Sequence, residues 1–116
     1  MADTEKITIN LSVVDLGKID LLVEQGFFSS RTDLIRTAIR EKLAGYDDTF
    51  KKEVNTHSMG VGVFVIDRRE LEELRKKGLR TEISVVGMAI IGRDVSAELA
   101  RETIKSVRVF GTLRAS

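Results

Sequence analysis

Lys6-Ile7-Thr8-Ile9-Asn10-Leu11-Ser12-Val13-Val14-Asp15 changes its periodicity halfway along. Up to Leu11 polar and apolar residues alternate, and the run is rich in β-branched side chains. That is the pattern of a strand with Ile7, Ile9 and Leu11 on one face. Ser12 then opens a capping-box-like start, with an acid, Asp15, three residues on. Behind it Leu16, Ile19, Leu22 and Val23 recur at three- and four-residue spacing, which marks the buried face of a helix that Gly26 stops. Phe27-Phe28-Ser29 makes a short turn, and Ser30-Arg31-Thr32-Asp33 repeats the capping arrangement. A second helix follows, carrying Leu34, Ile35, Ala38, Ile39 and Leu43 inward and ending near Gly45. The order is strand, helix, tight turn, helix, within about 40 residues.

A unit of that size buries too little surface to stand alone. Its one strand also lacks a partner in its own chain, and an apolar strand edge seeks pairing. The simplest solution pairs two copies of the strand antiparallel over four helices, giving an obligate homodimer with a two-stranded ribbon outside. Such a ribbon fits the major groove of double-stranded DNA, where base edges offer a distinguishable pattern of donors and acceptors.

Lys6 to Leu11, the turn from Gly26 to Ser30, and Ser30-Arg31-Thr32-Asp33-Leu34-Ile35-Arg36 together resemble the ribbon-helix-helix family of prokaryotic DNA-binding proteins, over roughly residues 5 to 44. The resemblance implies that the outward strand residues Lys6, Thr8 and Asn10 contact bases. It also implies that Ser29, Ser30 and Arg31, at the start of the second helix, contact phosphate. A helix N-terminus offers free N–H groups and partial positive charge to an anion. Family members often carry more basic residues on the ribbon than the single Lys6 found here. Asn10 suits adenine, but affinity is expected to be modest because phosphate neutralisation supplies most non-specific binding. The alternative for Lys6, Thr8 and Asn10 is the solvated face of a dimerising strand.

Tyr46 to Ser58 reads as a polar linker with one helical turn, Phe50 and Val54 being its main apolar pair. His57 lies in it and reads as an exposed residue, not a ligand. From Gly62 onward the sequence resembles itself with a period of about 25 residues. Gly62-Val63-Phe64-Val65-Ile66 matches Gly87-Met88-Ala89-Ile90-Ile91, and Gly87 in turn matches Gly111. A helix from Arg69 to Lys77 carries Leu71 and Leu74 inward and stops at Gly78. A second, from Val95 to Lys105 with Asp94 as N-cap, carries Val95, Leu99 and Ile104. Short crossovers of this kind join parallel strands. The expected fold is therefore α+β. Residues 1–45 form a dimeric ribbon-helix-helix domain, 46–58 a linker, and 59–116 a small α/β strand-helix repeat domain. Strands this apolar are expected to pack against another copy, joining two dimers into a tetramer.

Composition narrows the function. Charged residues make up 32% of the chain and apolar residues 42%, which suits an ordered protein. Six basic face seven acidic residues from Met1 to Gly45, and eleven face eight from Met59 to Ser116, so any nucleic-acid binding rests on local placement. Cysteine is absent and His57 is the sole histidine, which leaves no thiolate nucleophile and no histidine relay. Glu70, Glu72 and Glu73 are flanked by Arg68, Arg69 and Arg75, so surface pairing explains them. Gly60-Val61-Gly62 precedes a strand instead of following one, and no phosphate-binding Gly-Lys-Ser/Thr motif exists. The expectations are no enzymatic activity, no metal and no cofactor. The polar start is unlike a signal peptide and no apolar run approaches the ~20 residues of a membrane helix, so a cytoplasmic location is expected. The expected function is sequence-specific transcriptional regulation, as a repressor. Two alternatives stand beside it: the antitoxin of a toxin–antitoxin pair, its C-terminal half binding the toxin, and a self-assembling scaffold.

Ile9→Asp or Leu11→Asp is expected to unfold the dimer instead of splitting it into stable monomers. Each buried side chain contributes roughly 1.5–3 kcal/mol, and an unpaired carboxylate in its place adds a further penalty. Circular dichroism with analytical ultracentrifugation checks this; a folded monomer contradicts it.

Overall fold

In the computed structural model, which describes residues 4–115, two serine hydroxyls start the first two helices. Ser12 Oγ accepts from the Asp15 amide at 3.1 Å ahead of α1 (Val13–Glu24). Ser30 Oγ accepts from the Asp33 amide at 3.0 Å ahead of α2 (Arg31–Ala44). Between them Gly26, at φ +83°, lets the Phe27 amide reach back to the Leu22 carbonyl at 3.0 Å and closes α1. The remaining elements are α3 (Asp47–His57), β1 (Gly60–Ile66), α4 (Arg68–Lys76), β2 (Thr81–Ile91), α5 (Ala97–Thr103) and β3 (Ile104–Ala115). The described chain divides into two units, one over Lys6–Lys51 and the other over residues 4–5 and 52–115.

In the first unit, Leu16, Ile19, Val23, Leu34 and Ile35 are half-buried, while Leu22, Ala38, Ile39 and Leu43 are exposed. No residue of α1 or α2 is fully buried. The strand expected over Lys6 to Leu11 is not formed within one chain: residues 4–11 have neither helix nor strand pairing. A strand exists through hydrogen bonds to a neighbour, and none is supplied among the described residues. Ile7 is left 75% and Ile9 59% exposed.

Two helices depart from expectation. Tyr46 to Ser58, expected as a linker with one helical turn, is mostly the 11-residue helix α3. Asp47 and Asp48 in its first turn and His57 in its last suit the helix dipole, and Phe50 and Val54 lie one turn apart along it. The helix expected from Val95 to Lys105 is shorter, and Ser96, not Asp94, caps it by accepting from the Leu99 amide at 3.1 Å. The Asp94 carboxylate instead accepts from the Arg68 amide at 3.2 Å, tying the loop before α5 to the start of α4. Ile104 leaves α5 directly into β3.

The three strands are parallel in the order β1-β2-β3. Ile66, Val85 and Ala89 meet Leu71 of α4 and Leu99 of α5 in the core. Leu71 is 1% and Ala89 0% exposed, so one face of the sheet is closed by the two helices. Asp67 caps α4 through the Glu70 amide at 2.9 Å, and Arg80 donates to the Arg101 carbonyl at 3.1 Å, where the α5 dipole is negative. Buried Thr103 donates its hydroxyl to the Leu99 carbonyl at 2.7 Å.

Gly62, Gly87 and Gly111 stand in one row across the sheet, with φ of +136°, +133° and +123°. A Cβ on Gly87 would lie 2.2 Å from the Gly62 carbonyl oxygen, and one on Gly111 2.0 Å from that of Gly87. The strands approach there as only glycine allows.

Gly87→Ala and Gly111→Ala are each expected to destabilise the protein by about 3 kcal/mol, combining strained backbone with a main-chain clash. Gly26→Ala, whose Cβ meets nothing within 4 Å, is expected to lose only the left-handed penalty of about 1–2 kcal/mol. Urea denaturation of the three variants checks the order.

Candidate nucleic-acid interface

Lys6, Thr8 and Asn10 are all exposed and alternate with Ile7, Ile9 and Leu11. Extended backbone sends alternate side chains to opposite faces. A strand over this segment therefore presents one polar and one apolar face.

Ser29, Ser30 and Arg31 come together at the start of α2, and each is engaged. The Asp33 carboxylate accepts from the Ser29 amide at 3.0 Å and from its hydroxyl at 3.1 Å. Ser30 Oγ takes the Asp33 amide, which leaves its own proton free to donate. The Arg31 and Thr32 amides open the helix with no carbonyl one turn below them. Two serine side chains and this helix end therefore converge on one small surface, with Asp33 as the acid that organises it.

Arg31 points elsewhere. Its Nε and Nη2 donate to the two carboxylate oxygens of Asp20 at 2.7 and 2.8 Å, a bidentate pair joining α2 to α1. Hydrogen bonding from Arg31 holds the Asp20 carboxyl below its usual range, and the same contact raises the Arg31 guanidinium. Both side chains are about half exposed. A phosphate at the α2 terminus would have to draw Arg31 away from Asp20. Sequence reading missed Asp20 and Asp33 in these roles. Asp33 was visible as a capping acid, but no local spacing signals a pair eleven residues apart across a turn.

Among the described residues no group of three or more His, Cys, Asp or Glu side chains could hold a metal ion. No helix among them is long and apolar enough to cross a membrane. Arg75, in the last turn of α4, is held by Glu72 at 2.6 Å and by Glu102 at 3.5 Å. His57 pairs with Glu53 at 3.2 Å.

The ribbon-helix-helix transcriptional regulator family matches residues 2–116. An uncharacterised protein of Methanocaldococcus jannaschii is 31% identical over 77 residues, covering 60% of this chain and 79% of that protein. No solved structure matches the chain.

The Asp20–Arg31 pair gives a pH-dependence of known sign. A carboxyl with a lowered folded pKa adds stability that is fully present above its unfolded value and is lost as pH falls through the folded one. Unfolding free energy is therefore expected to fall with pH below the ordinary aspartate range more steeply for wild type than for Asp20→Asn. Equal slopes in urea titrations across the acid range contradict this.

Proposed function

Since the chain belongs to the ribbon-helix-helix transcriptional regulator family, we propose that it is a homodimeric, sequence-specific DNA-binding repressor of the prokaryotic cytoplasm. The observation that carries the dimer is the shortage of burial in Lys6–Lys51. Its helices contain no buried residue, and Ile7 and Ile9 lie open. Antiparallel pairing of two Lys6 to Leu11 segments satisfies their backbone and covers the Ile7, Ile9 and Leu11 face with four helices.

The ribbon then enters the major groove with Lys6, Thr8 and Asn10 outward. Asn10 offers a paired donor and acceptor to adenine, Thr8 a hydroxyl and a methyl, and Lys6 a cation for guanine or backbone. The α2 amides and the Ser30 hydroxyl hold phosphate and set the register of the protein on the duplex, and Ser29 joins them by exchanging its Asp33 bond for a phosphate oxygen. Arg31 joins them by exchanging Asp20 for a phosphate oxygen. Residues 1–45 form the DNA-binding and dimerising module in this reading, and 59–116 carry contacts between chains. The antitoxin reading fits less well, because toxin-binding tails are often disordered and this half has its own core around Leu71 and Leu99.

Selection of bound duplexes from a random pool, followed by salt titration, tests the reading. Thr8→Ala and Asn10→Ala are each expected to weaken binding to the selected site by roughly 1–3 kcal/mol and to relax its sequence preference. Arg31→Ala is expected to weaken all sequences alike and to flatten the salt dependence. Undiminished binding by both ribbon variants would remove the ribbon as the reader.

A further inference from the structure

The glycine row explains itself at two of its three members. Gly87 and Gly111 lack side chains because the carbonyl of the preceding strand occupies the space. Gly62 has the same backbone, φ +136°, yet a Cβ there would meet nothing closer than Phe64 Cε2 at 3.9 Å. β1 is an outer strand, so the position that a preceding glycine carbonyl would fill opens outward. β3 is the other outer strand, and it carries the last glycine of the row, Gly111. The carbonyls of Gly62 and Gly87 both point toward the next strand of the row. Continuing that direction sends the Gly111 carbonyl out of the sheet.

We propose that β3 of one copy pairs with β1 of a second copy, parallel and in the register that sets Gly111 beside Gly62, so that the sheet continues from chain to chain. The register is the one already present between β1 and β2 and between β2 and β3. It places all seven residues Gly60–Ile66 beside positions 109–115.

An independent observation fits the same register. Val61 falls beside Phe110 and Phe64 beside Leu113, and all four are large apolar residues left exposed on the outer strands. Slipping by one residue would turn every side chain of β1 to the opposite face and undo both pairs. In addition, β1 reads Gly-Val-Gly-Val-Phe-Val-Ile. It lacks the charges and proline with which edge strands discourage pairing. The contact joins two different surfaces, and in this proposal it repeats from chain to chain as an open array and not as a closed ring. It involves no residue of the ribbon, and its success or failure is separate from DNA binding.

The chain has no cysteine, which allows a direct test on the full-length protein. Val63 and Thr112 occupy one row with Met88 between them. Within one chain they are thus two strand spacings apart, about 9.6 Å, and beyond the roughly 7 Å reach of a disulfide. In the proposed contact they are neighbours at about 4.8 Å. The double variant Val63→Cys/Thr112→Cys, mildly oxidised, is expected to give covalent dimers, trimers and higher species on a non-reducing gel. Each single variant is expected to give nothing beyond a covalent dimer. The displaced pair Val63→Cys/Phe110→Cys is expected to give a several-fold weaker ladder. Sedimentation of the unaltered protein is expected to show mass rising past the dimer with concentration. A folded double variant without a ladder, an equal ladder from the displaced pair, or a mass fixed at one stoichiometry across concentrations would overturn the proposal.

Discussion

Backbone hydrogen bonding between strands is the requirement from which both units of this chain follow. A strand's amides and carbonyls need a neighbour. The segment from Lys6 to Leu11 has strand sequence and no neighbour among the described residues. The sheet of the second unit satisfies β2 on both sides and leaves β1 and β3 as outer strands. The apolar side chains follow the same division. They are closed over where Leu71 and Leu99 cover the centre of the sheet, and open at Ile7, Ile9, Val61 and Phe110. In the proposed reading, pairing between chains completes what folding of one chain begins, at the ribbon and at the sheet edges alike.

The electrostatics of the proposed interface are economical. One lysine lies on the ribbon, and Arg31 is committed to Asp20. A surface ion pair of this kind stabilises little on its own, so a phosphate that also accepts from the α2 amides and the Ser30 hydroxyl can displace the carboxylate. Ser29, Ser30 and Asp33 keep the α2 terminus in shape while that exchange happens, because their hydrogen bonds are local and do not involve Arg31. Affinity in this arrangement depends on ordered donors more than on charge density, and this favours discrimination over general attraction to DNA.

The C-terminal unit shows how small a folded strand-helix sheet can be when the backbone itself supplies the close contact. Two short helices and a handful of buried side chains close one face. The carbonyl-to-glycine approaches at Gly87 and Gly111 bring the strands together where no side chain intervenes. Arg80, just ahead of β2, donates to the Arg101 and Ile104 carbonyls at the end of α5, and Asp94, in the loop before α5, accepts from the Arg68 amide at the start of α4.

Much of this was legible in the residues alone. Ser12, Ser30, Gly26 and Gly78 mark helix ends because caps and stops act on the backbone within one turn. The apolar periods that follow them predict the helices with few errors. The matching of Gly62, Gly87 and Gly111 was visible as spacing. Three features were not. A helix over Asp47–His57 with only Phe50 and Val54 as its apolar signal is too polar to announce itself. The choice of Ser96 over Asp94 as cap turned on where the Arg68 amide lies, and the Asp20–Arg31 pair on how α1 and α2 meet across the turn. Only the folded chain shows that the glycines lie where a neighbouring carbonyl takes the place of a Cβ. Local pattern specifies which backbone groups are satisfied within a turn. Contacts between groups many residues apart depend on the distances that packing alone sets.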